Sequence, residues 1–546
     1  MFFIHKKPPR SHALGEPLLH ENHARPRTRR DFIAAGLMSG PAVVMAPAWL
    51  AALLKANRAN AGGLDNDIAA LLDATQCNVP LAGAGLPFIC FDLAGGANLV
   101  GSEVIVGQQS GSGVLNTQTN FLTTAGYGLL GVPGNMVPSS TANVDASLGL
   151  LWHADGAIKR GIMSVISPTT AAGVNGAVIC AMSQNDTQTN PHNPMYGIAM
   201  AKRTGQLLTL IGTNSSVSGG NSMAPMELIN PAYQPTVIAQ PSDATALVPL
   251  PPGGSPDPLT VATIESQTRI SAGTSPQSGS SDTAAFTGAL SMPGAQPGVQ
   301  LYTDGTSDAQ LKNQVRCAYV KAANTVNTFG DPTSLDATKD AIIQPMMTST
   351  GLTFMDRDFA KTATVMKMVL HGFAGAGTIT MGGYDYHDGT RATGESRNFK
   401  AGQMIGMVLQ YASAVGQPVM IYVFSDGSLN ANSMLDTSAA GRGKLGWQGD
   451  NSSVASTFFL AYSPKGVRPA LRGAAGAQQI GAFTPDGNVV STSSPAANSV
   501  DSLVYTLLLN YMGLSGTDSQ FAATFPMQTL GGAGQTGPLT VFQPIV

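Results

Sequence analysis

Short apolar runs recur along the chain, and each is bounded by glycine, proline, serine or aspartate. The runs are continuous rather than alternating and contain many β-branched or aromatic residues, which is typical of strands buried on both faces of a sheet. We therefore predict strands at Leu86–Leu93, Gly161–Ile166, Ala177–Met182, Leu207–Ile211, Thr378–Met381, Pro418–Phe424 and Thr457–Tyr462.

Between several of these runs, apolar residues recur at three- and four-residue spacing, which predicts amphipathic helices. The helical stretches are Met195–Gly205, Asp308–Val326, Arg357–Gly372 and Phe399–Gly416, and several end at a glycine suited to a helix C-cap. Because strands alternate with helices, the sequence predicts an α/β fold: a mostly parallel central sheet with helices on both faces.

One segment departs from this alternation. Residues 214–283 are dominated by serine, proline, glycine, threonine and asparagine, and include the stretch "VPLPPGGSPDPL". We predict a long insertion in, or excursion from, a single α/β domain that spans residues 62–546. A linker between two domains is the alternative, but the helix–strand alternation resumes in the same style after the segment.

Residues 1–61 have the features of an export signal. A basic lead precedes "TRRDFI" (Thr28–Ile33), an apolar stretch runs from Ile33 to Leu54, and Ala59-Asn60-Ala61 offers a small-x-small cleavage site. This order predicts a twin-arginine signal, the twin-arginine translocase as partner, and a periplasmic or secreted protein without a stable membrane span after cleavage. A retained membrane anchor is the alternative, since the apolar run is about long enough to cross a bilayer.

The charge content limits the possible partners. Charged residues make up 11% of the chain, so the surface must be covered mostly by uncharged polar side chains. Without residues 1–61 the chain has 20 basic and 29 acidic residues, a formal net charge of −9. Nucleic acid is therefore not an expected partner, because no basic excess remains to neutralise phosphates.

The four cysteines give no metal-binding or redox pattern, because no two are spaced as a CxxC pair. Cys90 and Cys180 lie in strand-like apolar runs, where buried free cysteine is common. Export would permit a disulfide, and the sequence assigns none: the pairing state of these two and of Cys77 and Cys317 is left open.

Polar groups follow four of the predicted strands at their carboxyl ends, where parallel sheets bind ligands. The clearest case is "TITMGGYDYHDGT" (Thr378–Thr390), in which Asp385 and His387 are two residues apart and point the same way in extended geometry. A carboxylate with an imidazole is a common pair of ligands for zinc or another divalent ion. The alternative is a surface turn held by its own hydrogen bonds.

Further ligands would have to come from other strand ends. The candidates are Asp426 in "SDGS", Asp450 in "WQGDNSS", and His192 in "SQNDTQTNPHNP". The two remaining histidines outside the leader are assigned structural roles: His371 near a helix C-terminus and His153 in a helix or turn.

In their order along the chain, "RDFAKTATVMKMVL", "ITMGGYDYHDGT", "VMIYVFSDGS" and "GWQGDNSS" resemble the C-terminal half of the DUF1501 proteins. These are twin-arginine-exported proteins of uncharacterised function, related in fold to the alkaline phosphatase and sulfatase superfamily. The family stretches read approximately GGFDTH, SEFGR and a late DHG, preceded by GG-x-D and SHF. Only the GGYDYH stretch is close.

The departures from that pattern remove charge or shorten side chains. Asn98 stands where the family tends to have aspartate, Pro191 replaces a serine, Asp426 replaces glutamate and Asn451 replaces the late histidine. A dinuclear hydrolytic centre needs about six protein ligands and a nucleophile. No residue is selected as that nucleophile, although Thr187 and Thr189 precede a predicted helix.

The resemblance implies an exported metal-dependent hydrolase-like protein of the alkaline phosphatase or sulfatase type, acting on a phosphate or sulfate ester. Its divalent metal, with zinc as one candidate, would be held by Asp385, His387, Asp426, Asp450 and His192. The substituted ligands favour the alternative, a catalytically decayed relative that serves as an exported structural or surface-binding protein. Enzymatic activity is therefore left open.

Overall fold

The computed structural model describes residues 85–108, 120–139, 142–183, 190–201, 204–247, 317, 334–473 and 477–546. All of them belong to one unit that runs from Arg58 to Val546. The predicted signal segment, most of the predicted helix Asp308–Val326, and residues 248–283 of the predicted insertion lie outside the described residues.

The described strands are β1 (Phe88–Leu93), β2 (Val144–Asp145), β3 (Trp152–His153), β4 (Val174–Ile179), β5 (Leu208–Gly212), β6 (Thr236–Val237), β7 (Ala374–Met381), β8 (Val419–Phe424), β9 (Leu429–Asp436), β10 (Lys444–Asp450), β11 (Thr457–Tyr462) and β12 (Gln479–Ile480). Eight of them form the central sheet, in the order β12-β4-β11-β8-β1-β7-β5-β6. Only β11 runs antiparallel to its neighbours, β8 and β4. The predicted mostly parallel α/β sheet is confirmed.

The described helices are α1 (Thr124–Leu129), α2 (Ala157–Met163), α3 (Pro168–Ala172), α4 (Met195–Met200), α5 (Pro241–Thr245), α6 (Gln344–Thr350), α7 (Arg357–Leu370), α8 (Ala392–Ala414), α9 (Val500–Leu514), α10 (Phe521–Thr524) and α11 (Ala533–Thr536). They pack the sheet through two hydrophobic clusters. Ile89 and Phe91 of β1 join α7 and α8 in one cluster. Phe88 and Cys90 join α4 and α9 in the other.

The sequence located most of the sheet. Strand β11 has the predicted bounds, and β1, β5, β7 and β8 lie at predicted runs, while β4 begins and ends three residues earlier than the run 177–182. The predicted strand Gly161–Ile166 is wrong, because its first residues lie in helix α2. A short apolar run with a glycine does not distinguish a buried strand from a buried helix end.

Gly161 has a packing role in that helix. A Cβ on Gly161 would collide with the carbonyl oxygen of Phe399, and one on Gly402 would collide with the carbonyl oxygen of Ile158. The two glycines therefore let α2 and α8 approach backbone to backbone. This contact accounts for an apolar, glycine-containing run that is not a strand.

Helices α7 and α8 were predicted, although α8 begins at Ala392 rather than at Phe399. Helix α9 was missed. Its residues are buried on nearly every face, so its sequence lacks the polar stripe that marks a surface helix.

The segment 214–247 is part of the predicted excursion. It contributes strand β6 at the edge of the sheet, where Thr236 pairs with Ile211 in parallel. It also contributes helix α5, which packs against α7. The first part of the excursion is thus built onto the α/β core.

Cys90 and Cys180 are free and buried, as predicted, and burial raises the pKa of both thiols. The pairing state of Cys317, which the sequence left open, is a disulfide. Spacing alone does not reveal which cysteines meet in the fold.

Candidate functional site

The loops that follow β1 and β7 meet at the carboxyl edge of the central sheet. The backbone amide of Ala94 donates to the carbonyl of Met381 at 2.9 Å, and the amide of Tyr384 donates to the carbonyl of Ala94 at 3.1 Å. Gly383 between them has φ +86°, a conformation that favours glycine. These contacts continue the strand pairing past the sheet and fix the start of the "GGYDYH" loop.

Within that loop, side chains alternate between buried and exposed. Tyr384 is fully buried and Tyr386 nearly so, and their hydroxyl groups donate to the carbonyl of Arg397 at 3.0 Å and to Oδ1 of Asn398 at 3.1 Å. Asp385 and His387 are both exposed. The two tyrosines therefore anchor the loop to helix α8 and direct the acid and the imidazole outward.

Asp385, His387 and Asp450 form one group on the surface. Nε2 of His387 lies 2.7 Å from Oδ1 of Asp385 and 4.0 Å from Oδ1 of Asp450. One ligand atom from each residue falls within 4.8 Å of the others, close enough for all three to bind one metal ion. The side chains are 52%, 41% and 55% exposed, so other coordination positions would face solvent.

Asp450 reaches the group from β10, which pairs with β9 in an antiparallel ribbon. The amide of Gly389 donates to the carbonyl of Trp447 at 2.9 Å, and the amide of Trp447 donates to the carbonyl of Thr390 at 3.0 Å. The Arg391 guanidinium lies 4.4 Å from the centre of the Trp447 ring. The ribbon and the loop are thus held together beside the group.

A buried ionic network supports the base of the ribbon. Glu395 is paired with Arg391 at 3.0 Å, Arg160 at 2.6 Å and Lys444 at 2.8 Å. Lys444 is fully buried, and burial lowers the pKa of its ammonium group. Sequence reasoning missed this network because Arg160 and Lys444 come from parts of the chain distant from the Arg391–Glu395 pair.

The structure places Asp426 outside the exposed group. It is fully buried at the end of β8, where its Oδ1 accepts from the Gly95 amide at 3.0 Å. Its Oδ2 accepts from Nδ2 of Asn221 at 3.1 Å. The side chain is therefore engaged by neutral donors of the chain itself.

His192 also lies apart from the exposed group. Its ring is fully buried and stacks on Phe424 with the centroids 5.8 Å apart, and Nε2 lies 3.0 Å from Oγ of Ser183. Burial lowers the pKa of His192 to about 3, so the ring is neutral. Nδ1 has no hydrogen-bond partner among the described residues. Thr187 and Thr189 lie outside them.

Asp92 is a buried acid that sequence reasoning missed. Its Oδ2 accepts from the amides of Asn221 at 2.7 Å and Ser222 at 2.8 Å. Burial, together with the nearby Asp426 carboxylate, raises the pKa of Asp92 to about 7 despite the lowering effect of these donors. The available signal was an aspartate inside the apolar run "FICFDL".

Asn98 and Asn451, which differ from the DUF1501 motif residues they were compared with, are bound locally. Asn98 is fully buried, and its Nδ2 donates to the carbonyl of Leu429 at 3.0 Å. Oδ1 of Asn451 accepts from the amide of Ser453 at 2.9 Å and caps a short 3-10 helix. Both side chains make backbone hydrogen bonds that fix the loops around them.

The other two histidines among the described residues have structural contacts. His371 lies at the end of α7, where Nε2 is 2.9 Å from the hydroxyl of Tyr411. His153 lies in strand β3 rather than in the predicted helix or turn, and its Nε2 is 3.0 Å from the carbonyl of Met136. Burial lowers the pKa of His153 to about 4.

Comparison with known proteins finds no family model, no curated protein and no solved structure that matches this chain. The resemblance to the DUF1501 proteins therefore depends on the motif residues alone. Of the helices that the structure describes, none combines the length and the apolar character needed to cross a membrane.

Proposed function

We propose that this chain is an exported metal-dependent hydrolase-like protein of the alkaline phosphatase or sulfatase type. The observation that carries the proposal is the exposed group of Asp385, His387 and Asp450. Two carboxylates and one imidazole suit a divalent transition ion such as zinc, and catalytic zinc sites keep three protein ligands and an open position. The donor set and its exposure fit that description.

In this proposal each residue has a separate task. A divalent metal would supply a Lewis acid for an ester oxygen. His387 offers Nε2, and Asp385 and Asp450 offer the carboxylates that offset the cation's charge. Tyr384 and Tyr386 keep the loop in place while both ligands on it face solvent.

The finer fold assignment is part of the proposal. An eight-stranded, mostly parallel sheet with polar loops at its carboxyl edge supports an alkaline-phosphatase-like core. The order of the four motifs along the chain supports it too. Fold analogy alone does not assign a reaction, so ester hydrolysis needs its own test.

Export is supported by two independent features. The leader carries the basic, twin-arginine and apolar order of an export signal. Cys317 is in a disulfide, a bond that persists in oxidising compartments and is rare in the cytosol. A periplasmic or secreted location is consistent with both.

A second function is favoured by the buried strand ends. Asp426 and Asn98 hydrogen-bond within the chain, and His192 is stacked in the interior. A dinuclear centre assembled from these residues would have to break those contacts. The alternative is therefore a decayed relative that binds a metal or a surface without hydrolysing esters.

The deciding experiment combines metal content with an ester assay on the full chain, purified without a histidine tag. We expect about one divalent ion per chain, lost in His387→Ala and Asp385→Asn and kept in the exposed control Asp486→Asn. Hydrolysis of p-nitrophenyl phosphate or sulfate that disappears with the metal supports the hydrolase. Metal binding without hydrolysis supports the decayed relative, and no binding at millimolar zinc or manganese rejects the metal proposal.

A further inference from the structure

Gly95 lies between the buried Asp426 and the exposed Asp385. Its amide donates to Oδ1 of Asp426 at 3.0 Å. A Cβ on Gly95 would lie 2.5 Å from the amide nitrogen of Asp385 and 2.8 Å from its Cβ. Only a glycine fits here, so any shift of Gly95 is passed directly to the backbone of Asp385.

The neighbouring amides of the same loop are held in the same way. Gly96 and Ala97 donate to Oγ of Ser425 at 3.0 and 2.8 Å, and the Ser425 hydroxyl donates to the carbonyl of Leu93. Ser425 and Asp426 are consecutive at the end of β8. Together they hold three successive amides of the loop that supports Asp385.

We propose that Asp426 is a positioning residue for the exposed metal group and not one of its ligands. The proposal rests on the metal-binding function proposed above. Asp426 fixes Gly95, Gly95 packs against Asp385, and Asp385 is thereby held 2.7 Å from His387. To bind the metal, Asp426 would have to lose its hydrogen bonds from the Gly95 amide and the Asn221 side chain.

Asn221 in turn holds the Asp426 carboxylate in place. Asn221 donates from its side chain to Oδ2 of Asp426 and from its backbone to Oδ2 of Asp92. One asparagine thus links the acids at the ends of β8 and β1. This link orients the Asp426 carboxylate so that Oδ1 meets the Gly95 amide.

The test uses Asp426→Ala, which removes the acceptor, and Asp426→Asn, which keeps a carbonyl oxygen for Gly95. The matched control is Asp340→Ala. Asp340 is likewise a buried acceptor, for Lys367 and Tyr411, but these partners lie in the last turns of α7 and α8, before β7 and β8 begin. Asp340→Ala reports on general destabilisation alone.

Zinc affinity is measured by competition with a chelating dye, at a temperature where every variant is folded. We expect Asp426→Ala to weaken it about 10- to 100-fold, as for residues that orient metal ligands. Asp426→Asn should rescue most of the loss, and Asp340→Ala should bind as the wild type does. Equal losses in Asp426→Asn and Asp426→Ala would overturn the positioning role, as would wild-type affinity in Asp426→Ala.

A second measurement does not depend on metal binding. It is the rate of amide hydrogen exchange of residues 382–388 in the metal-free protein, detected by mass spectrometry. We expect faster exchange there in Asp426→Ala than in Asp426→Asn or Asp340→Ala. If the wild type binds no zinc, the metal proposal fails, while unchanged exchange in Asp426→Ala defeats the positioning role separately. Gly95→Ala is the second variant should Asp426→Ala not fold, and it should show the same loss with the carboxylate intact.

Discussion

Nε2 of His387 lies 2.7 Å from Oδ1 of Asp385, and both side chains face solvent while the tyrosines beside them are buried. The pair therefore lies on the surface, on a loop that the buried tyrosines hold to helix α8. Its geometry is produced by the alternation of buried and exposed side chains along the four residues Tyr384–His387 and by the glycine pair that precedes them. Asp450 completes the group from a separate ribbon.

Because α2 and α8 pack backbone to backbone at Gly161, adding a methyl group there should destabilise the fold. Gly161→Ala should lower the free energy of unfolding by about 1 to 3 kcal/mol, because the new Cβ meets the Phe399 carbonyl. Gly128→Ala is the control, since no atom lies within 4 Å of its added Cβ. Urea unfolding measures both, and equal stabilities would contradict the packing role.

Loss of a buried cation should be costly. Lys444→Met removes the ammonium group that contacts Glu395 and the Asp155 carbonyl, leaving buried acceptors without that partner. We expect about 3 to 5 kcal/mol of destabilisation. The exposed control Lys465→Met should change stability by about 0.5 kcal/mol or less. Thermal or urea unfolding that ranks the two variants equally would disprove the structural role of the network.

Asp92 should give stability a specific pH dependence. Its pKa is raised to about 7 in the folded protein, so between about pH 4 and 7 the folded state binds more protons than the unfolded state. Its contribution is therefore present at low pH and is lost as the pH rises through that window.

The comparison with Asp92→Asn isolates this effect from His153 and His192. The pKa values of both histidines are lowered to about 4 and 3, so their contribution rises with pH instead. The stability of the wild type relative to Asp92→Asn should fall between pH 4.5 and 7.5. Urea unfolding at several pH values measures this difference in the free energy of unfolding. If the difference is the same at every pH, Asp92 does not titrate in this range.

The sequence predicted the strands and the loop that carry the site better than it predicted which residues meet there. Strand β11 and the "GGYDYH" loop follow from apolar runs, glycines and two-residue alternation, all of which are local. Asp450 joins Asp385 and His387, whereas Asp426 does not. This difference depends on where β8 ends and on the place of the separate β9–β10 ribbon in the fold. Spacing along the chain carries no such information.

The features that the sequence did not predict depend in the same way on partners distant along the chain. Gly161 marks a helix contact, and Asp92 is stabilised in a strand by amides that come from residues 221 and 222. In each case the partner that makes the residue acceptable is distant in sequence. An acid inside an apolar run, as at Asp92, indicates hydrogen-bond partners from elsewhere in the chain, because burial without them is costly.

A double substitution in the leader tests the export prediction. Replacing Arg29 and Arg30 together by lysine should leave the protein in the cytoplasm with residues 1–61 uncleaved, because the arginine pair is the feature the translocase recognises. Cell fractionation and the mass of the product measure this. Normal export of the double variant, or loss of export when only the general secretion route is blocked, would contradict the twin-arginine assignment.

The most direct measurement of the central claim is anomalous X-ray diffraction at the zinc edge from crystals soaked with zinc. A metal held by the exposed group should give a peak about 2.0 to 2.2 Å from Nε2 of His387 and from one carboxylate oxygen each of Asp385 and Asp450. His387→Ala crystals should lack that peak. A peak at Asp92 and Asp426 instead, or an empty group in wild-type crystals that bind zinc elsewhere, would contradict the account.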